Sequence, residues 1–339
     1  MAIRSNARGV LPNIHRAFAV RDSMKTLNFS HNDKMPIIGL GTWKSKPGEV
    51  YKAVLTALKT GYRHIDCAPI YGNEKEVGNA IRDAIKAGVL TRKELWVTSK
   101  LWNDAHRKDD VIPALRKTLS DLQLDYLDLF LVHWPVALQP GVMFPKGSDD
   151  FLSLSEVPVA ETWQGMEAAV DQGLVRHIGV SNFKLERVKH LVENSRIKPE
   201  MNQVELHPFL PQDELLKGCK ELGLHLTAYS PLGSKDRSSA IKKDDEPLLL
   251  EHPAVKKVAE KRDCTPGQVL ISWAVHRGTA VIPKSTNAGR IAENLNAAKV
   301  ELSVEDIQFI AQIGPEYRFV DGSFWAMEGS PYTLSDLWG

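Results

Sequence analysis

Four short stretches each place polar or ionisable side chains directly after a run of apolar residues. They are Gly39-Leu-Gly-Thr-Trp43, His64-Ile-Asp66-Cys-Ala-Pro-Ile-Tyr71-Gly-Asn-Glu74, Val97-Thr-Ser-Lys100-Leu-Trp102 and Leu131-Val132-His133-Trp134-Pro135. The apolar runs read as buried strands, so an aspartate, a tyrosine, a lysine and a histidine are delivered from consecutive strand ends to one shared place. A phenol with its ordinary pKa of ~10 donates protons poorly to a developing alkoxide. A neighbouring ammonium lowers that value, and a carboxylate paired with the ammonium keeps it charged and oriented. Tyr71, Lys100 and Asp66 supply these three groups, in surroundings expected to lower the phenol's pKa, and His133 is placed to hydrogen-bond a substrate oxygen. The chemistry is proton donation to a carbonyl. No serine or cysteine is paired with a base, which disfavours covalent catalysis. Singly, each residue has a structural reading: a turn tyrosine, a surface lysine, a core histidine, a capping aspartate. Their joint occurrence at successive strand ends favours the catalytic one.

The elements that must position them alternate. Strand-like runs are read at Ile37–Leu40, His64–Asp66, Leu95–Ser99, Leu127–Val132, His177–Val180, Met201–Leu206, Leu224–Ala228 and Ala280–Ile282. Amphipathic stretches lie between them, among them Glu49–Thr60, Glu74–Ala87, Val111–Leu122, Gln268–His276 and Arg290–Ala297. This pattern predicts an α/β fold, a closed (β/α)8 TIM barrel, with an open doubly wound sheet as the alternative. Thr26–Phe29 and Lys34–Pro36 read as an N-terminal β-hairpin capping the barrel floor. Two insertions, Val136–Pro158 and Gly233–Glu246, predict long loops on the C-terminal face, where active sites of barrels lie. Residues 1–23 carry Arg4, Arg8, Arg16 and Arg21, with no acid before Asp22. They read as a leader or disordered extension, with an organellar transit peptide as the alternative. Residues 24–339 then form a single domain.

The four motifs resemble the aldo-keto reductase superfamily, from about Lys25 to the C-terminus. The family's catalytic tetrad falls on Asp66, Tyr71, Lys100 and His133. The resemblance implies NADPH-dependent reduction of a carbonyl without a metal, with Tyr71 as the acid, Lys100 and Asp66 as its tuning pair, and His133 as the orienting residue. A glutamate in place of the histidine marks the family's steroid double-bond reductases; His133 points to carbonyl reduction.

The cofactor is held without a Rossmann fingerprint, because Gly39-x-Gly41 never completes G-x-G-x-x-G. By resemblance, Ser181, Asn182 and Gln203 contact the nicotinamide carboxamide and Tyr229 stacks on its ring. Ser230 and Leu232, in the stretch Tyr229–Ser234 that ends the seventh run, are further cofactor contacts, and the 233–246 loop, whose Ser234 and Asp236 match belt residues of related reductases, is expected to fold over the pyrophosphate. Gly41, Thr42, Trp43 and Asp66 complete this end. Lys284, Ser285 and Arg290 form a compact anion site suited to a 2′-phosphate, which predicts NADPH over NADH. Thr286 flanks it, and Glu293 and Asn294 match the family's adenine contacts. Trp43, Tyr71, Trp102, His133 and Trp134 are expected around the substrate, walling a pocket for aldehydes with apolar or aromatic parts. Phe319, Phe324, Trp325, Tyr332 and Trp338 mark a C-terminal tail of the kind that closes over the pocket in relatives.

Composition narrows the alternatives. Of 339 residues 25% are charged, yet the net charge is only +1, which gives no basic field for nucleic acid. No apolar run approaches the roughly 20 residues that span a bilayer. Three cysteines and no His-x-x-x-His or Cys-x-x-Cys spacing argue against a disulfide framework or a metal site and suggest a reduced, cytoplasmic setting. Cys67 is expected to be a buried, inert thiol. A monomer is implied by the resemblance, with a small carbonyl compound as partner. Two rivals stand beside the aldehyde reductase and reverse alcohol dehydrogenase reading. One is an aldose reductase of the xylose type, the other a weakly catalytic NADPH-binding scaffold or sensor.

Overall fold

The structure is a computed structural model that describes residues 25–235, 237, 242 and 246–339. The expected leader at 1–23 and the belt residue Asp236 lie outside the described residues. Eight parallel strands form one sheet in the order β3 (Leu40–Gly41), β4 (His64–Asp66), β5 (Trp96–Leu101), β6 (Leu127–Val132), β9 (Val175–Ser181), β10 (Met201–Glu205), β11 (His225–Tyr229) and β12 (Ala280–Val281). The sheet closes on itself: Ile38 pairs with Val281 and Gly41 with Lys284, both in parallel register. Gly41 makes that seam possible, since a Cβ there would lie 2.7 Å from the Ile282 carbonyl oxygen. The fold is therefore the closed (β/α)8 barrel and not the open sheet.

The strands are buried on both faces, as parallel strands under helices must be. All six residues of β6 are buried, Asp128 included. That carboxylate is satisfied by Arg92 at 2.7 Å and by the Val97 N–H at 2.8 Å. Helices follow as read, with α1 at Glu49–Thr60 and α2 at Glu74–Lys86. Next come α3 at Lys108–Leu122, α4 at Val159–Asp171, α5 at Leu185–Asn194, α6 at Asp213–Glu221 and α7 at Pro253–Lys261. Helix α8 runs from Pro266 to His276 and starts two residues before the sequence expectation. The reason is a capping box, in which Thr265 and Gln268 bond each other's backbone N–H, ahead of a proline that suits a first helical turn. Helix α9 spans Ala288–Asn296. Two further helices, α10 (Val304–Ala311) and α11 (Leu334–Trp338), were not anticipated; both begin on Ser or Thr capping boxes.

The expected floor hairpin is present, with β1 (Thr26–Asn28) and β2 (Lys34–Pro36) paired antiparallel. Phe29 inserts between Trp96, His177 and His225, with ring centroids 4.9 to 5.0 Å away. At the other face, the 136–158 insertion folds into its own small hairpin, β7 (Ala137–Leu138) on β8 (Phe151–Leu152).

Glu74 opens α2 yet points inward. It accepts hydrogen bonds from Ser99 at 2.6 Å and Thr118 at 3.2 Å, and burial pushes its carboxyl up to about 7. The folded state thus holds this proton more tightly than the unfolded chain does. The associated stability is complete at acid pH and is lost as pH rises from the unfolded carboxylate value through about 7. Glu74→Gln removes the titration and keeps the shape. We expect its Tm to exceed the parent's at pH 8, by roughly 2–4 °C per ~1 kcal/mol relieved, and to converge with it near pH 5. Calorimetry at the two pH values checks this.

Candidate active site

The strand ends of the C-terminal face surround a cleft of about 630 Å³. Asp66 ends β4, and Lys100 lies near the end of β5. Tyr71 sits in a 3-10 turn (Pro69–Tyr71) closed by Gly72 at φ 67°, and His133 follows β6 directly. Both Lys100 and Asp66 are about fully buried, and their ion pair is 2.6 Å long. The ammonium has two more oxygen neighbours, the Cys67 carbonyl at 2.9 Å and the Tyr71 hydroxyl at 3.4 Å. The second oxygen of Asp66 accepts from the Gln203 side chain at 2.7 Å. The Asp66 carbonyl is held by the Thr42 hydroxyl at 2.8 Å, and Asn73 holds the Thr42 carbonyl at 2.9 Å. Asp66, Cys67, Gln203, Thr42 and Asn73 thus hold one lysine against one phenol.

The electrostatics follow from this geometry. Burial works against the Lys100 ammonium, but Asp66 and Tyr71 outweigh it and hold its pKa above the usual lysine range. The cation is permanent at any working pH. For Tyr71 the order is reversed: burial dominates and pushes the hydroxyl up to about 12, although Lys100 pulls it down. The expectation of a lowered phenol pKa is not met in this state, because a fully desolvated phenolate costs more than one ammonium at 3.4 Å returns. The hydroxyl is protonated and ready to donate. Burial, with Lys100 and His106 adding to it, holds His133 well below the usual imidazole range, so the ring is neutral. Among the described residues its Nδ1 has no protein partner. Its ring meets Tyr71 edge-on at 6.0 Å and Trp102 at 5.0 Å.

The same cleft gathers most of the expected cofactor residues: Gly41, Thr42, Trp43, Ser181, Asn182, Gln203, Tyr229, Ser230, Leu232, Ser234, Lys284, Ser285, Thr286 and Arg290 all line it. Several already bond one another. Asn182 donates to the His133 carbonyl at 3.0 Å and accepts from the Tyr229 hydroxyl at 2.8 Å, while Ser181 donates to the Gln203 carbonyl at 2.8 Å. Glu293 and Asn294 are not brought to the cleft wall. Glu293 turns instead to the cap of α8 and accepts from Thr265 at 2.6 Å, and Asn294 is buried. The expected substrate residues Trp43, Trp102 and Trp134 line the same cleft, as do Ile70, Phe144, Val320 and Phe324. Trp102 lies one residue past the strand, held by a bond from its indole to the Met143 carbonyl at 2.9 Å.

Sequence reasoning missed Lys44, Phe144 and Val320 as cleft residues. For Lys44 a backbone signal exists only in the structure. Lys44, Asn182, Ser230 and Ser234 all line the cleft, and all have positive φ (60°, 64°, 49° and 46°) without being glycine. Such strain costs about 1–3 kcal/mol per residue and persists where surrounding contacts over-determine it, as at binding sites. Cys67 is buried, and burial pushes its thiol well above the ordinary range, as expected of an inert cysteine. Among the described residues no group of three His, Cys, Asp or Glu side chains is placed to hold a metal ion, and no helix is long and apolar enough to cross a membrane.

The sequence profile of the Aldo/keto reductase family matches residues 37–315, the span that carries every strand of this cleft. The chain belongs to that family. It is 50% identical over 317 residues to an aldo/keto reductase of Synechocystis sp., covering 94% of this chain and 97% of that one. Aldo-keto reductase family 1 member A1 of Homo sapiens is 47% identical over 289 residues, covering 85% of this chain and 88% of its own. Among solved structures, the Bombyx mori aldo-keto reductase in complex with NADP superposes with a TM-score of 0.82 at 38% identity, over 91% of this chain and 99% of that one. The aldose reductase of Schistosoma japonicum gives the same TM-score at 39% identity, again over 91% and 99%. In this aldo-keto reductase the tetrad motifs and the barrel therefore stand together.

Proposed function

We propose that this aldo-keto reductase reduces aldehydes, and some ketones, to alcohols with NADPH, and runs in reverse as an alcohol dehydrogenase. The observation that carries the proposal is the buried Asp66–Lys100–Tyr71 chain facing a neutral His133 across the cleft. NADPH, when bound, supplies the hydride that reaches the carbonyl carbon. Tyr71 gives its hydroxyl proton to the carbonyl oxygen. Lys100, kept charged by Asp66, stabilises the phenolate left behind, so the donor that is hard to ionise in the empty site is assisted at the moment of transfer. His133, uncharged, hydrogen-bonds the substrate oxygen and fixes its direction. The buried aromatic wall excludes water from this exchange.

The residues present suit the dinucleotide. Two cationic residues, Lys284 and Arg290, line the cleft with Ser285, Arg290 lying in the first turn of α9. Charge-assisted bonds of this kind fit a 2′-phosphate. Arg290→Ala is expected to raise the Kd for NADPH by roughly 10–100-fold, the ~1.5–3 kcal/mol of a hydrogen bond to a charged group, and to leave the weaker NADH binding unchanged. Fluorescence titration with both cofactors checks this; equal losses for the two would remove the phosphate assignment.

The walls of Trp43, Trp102, Trp134 and Phe324 favour substrates with apolar or aromatic parts over polyhydroxylated ones. The expected ratio of kcat/KM therefore favours benzaldehyde over xylose. A preference for xylose would make the aldose reductase reading the better one.

A further inference from the structure

The barrel floor, on the face away from the cleft, holds a charged cluster that the chemistry above does not use. His177 of β9 is buried, and each of its ring nitrogens faces a carboxylate oxygen. Nε2 lies 2.9 Å from Asp33 and Nδ1 lies 2.7 Å from Glu200. Asp33 closes the turn of the β1–β2 hairpin, whereas Glu200 stands one residue before β10. A neutral imidazole has one N–H and one lone pair, so it would turn that lone pair on a carboxylate. Only the doubly protonated ring donates to both. The Ser30 hydroxyl, 3.4 Å from Nδ1, already donates to Glu200 at 3.0 Å, and the Ser30 N–H does so at 2.8 Å. Trp96 stacks on the ring at 5.4 Å and 11°, and an indole face attracts a cation.

The other charged and titratable groups around the ring do not replace these two bonds. Arg176, from the same strand, pairs with Asp33 at 2.6 Å. On β6, Asp128 is answered by Arg92 at 2.7 Å. The His31 ring of the hairpin turn lies 6.4 Å from that of His177, and His225 Nε2 on β11 lies 2.7 Å from the Asn28 carbonyl oxygen. Burial works against the His177 charge, but Glu200 and Asp33 outweigh it and hold the ring above the ordinary imidazole value of 6.5. Burial opposes the charge on Glu200 too, yet the bonds from His177 and Ser30 keep its carboxyl below the ordinary range.

Strands β1 and β2 form a sheet of their own and share no ladder with the barrel. The hairpin is therefore held down largely by side chains, which makes it a unit able to open alone. We propose that His177 is a proton-operated latch: charged, it fastens the hairpin to the floor through Asp33 and Glu200, and on losing its proton it lets the hairpin open locally. The folded ring binds that proton more tightly than the unfolded chain does. The latch is complete below the ordinary value of 6.5 and weakens as pH rises through the higher folded value. Each unit between the two values weakens it roughly tenfold once the proton is gone.

The titration of the His177 side chain is followed by two-dimensional 1H–15N NMR in the parent and in Asp33→Asn. Amide exchange protection of the peptide covering 25–36, corrected for the intrinsic rate, is measured on both from about pH 6 to about pH 9. Asp33→Asn keeps the shape, and its amide N–H can donate to a neutral Nε2, so the ring no longer needs its second proton. In the parent, His177 is expected to titrate above 6.5, with hairpin protection falling roughly tenfold or more across that titration. In Asp33→Asn the titration moves down and the fall disappears. Should that variant fail to fold, Glu200→Gln offers Nδ1 the same neutral donor and is read in the same way. A parent ring that titrates at or below 6.5, or hairpin protection indifferent to pH, overturns the proposal. So does an equal fall in the variant. Neither readout needs cofactor or turnover, so the outcome is independent of the reductase reading.

Discussion

Tyr71→Phe is expected to lower kcat for carbonyl reduction by roughly 10²–10⁴-fold, the span that a positioned general acid contributes, with the Kd for NADPH nearly unchanged. The substitution deletes one oxygen and keeps the ring that lies 6.3 Å from Trp43 and 6.0 Å from His133, so the walls of the cleft stay in place. Removing the oxygen leaves the Lys100 ammonium with Asp66 and the Cys67 carbonyl, both still in bonding range at 2.6 and 2.9 Å. Stability should hardly move. What is lost is the one proton donor next to a permanent cation. Steady-state rates and cofactor titration of the same preparation read both halves of the prediction; a variant with the parent's kcat would show that another group donates the proton.

Lys100→Met should damage stability and rate together. The variant leaves the Asp66 carboxylate 2% exposed with its cation gone and only the Gln203 amide at 2.7 Å as a side-chain donor. Breaking one partner out of a buried pair typically costs about 3–5 kcal/mol. We expect a clear fall in Tm, with kcat lower by roughly 10²-fold or more because nothing then stabilises a phenolate at Tyr71. Lys100→Arg should not rescue either property. The three oxygens around Nζ, at 2.6, 2.9 and 3.4 Å, suit a compact ammonium, whereas a guanidinium is larger and planar. Thermal unfolding with parallel rate measurements decides it. A Met variant as stable as the parent would mean that the pair is not energetically coupled to the barrel.

The four catalytic candidates were legible because each follows an apolar run, and a parallel barrel sends the residues after its strands to one face. Lys284 and Tyr229 were legible for the same reason. What the chain did not disclose is set by contacts between distant segments or by the degree of burial. Glu205 sits within the run Met201–Leu206 and looks like one more strand residue until Phe319 and Val320 arrive from the tail. Glu293 has the spacing of an adenine contact, and the sequence does not disclose that one of its carboxylate oxygens also accepts from Thr265, the capping residue of the neighbouring helix. The sign of the Tyr71 shift was misjudged because the local pattern names the ammonium but not how completely the phenol is desolvated. Helices α10 and α11 escaped because both are short, at eight and five residues, and depend on their capping boxes.

The most direct test of the central claim mixes the NADPH-loaded chain with a panel of aldehydes, ketones and aldoses and follows the loss of reduced cofactor. The account predicts turnover with many catalytic cycles, fastest for aldehydes with aromatic or apolar substituents. Tight NADPH binding with no consumption on any of these carbonyls would contradict it and leave a cofactor-binding scaffold in its place.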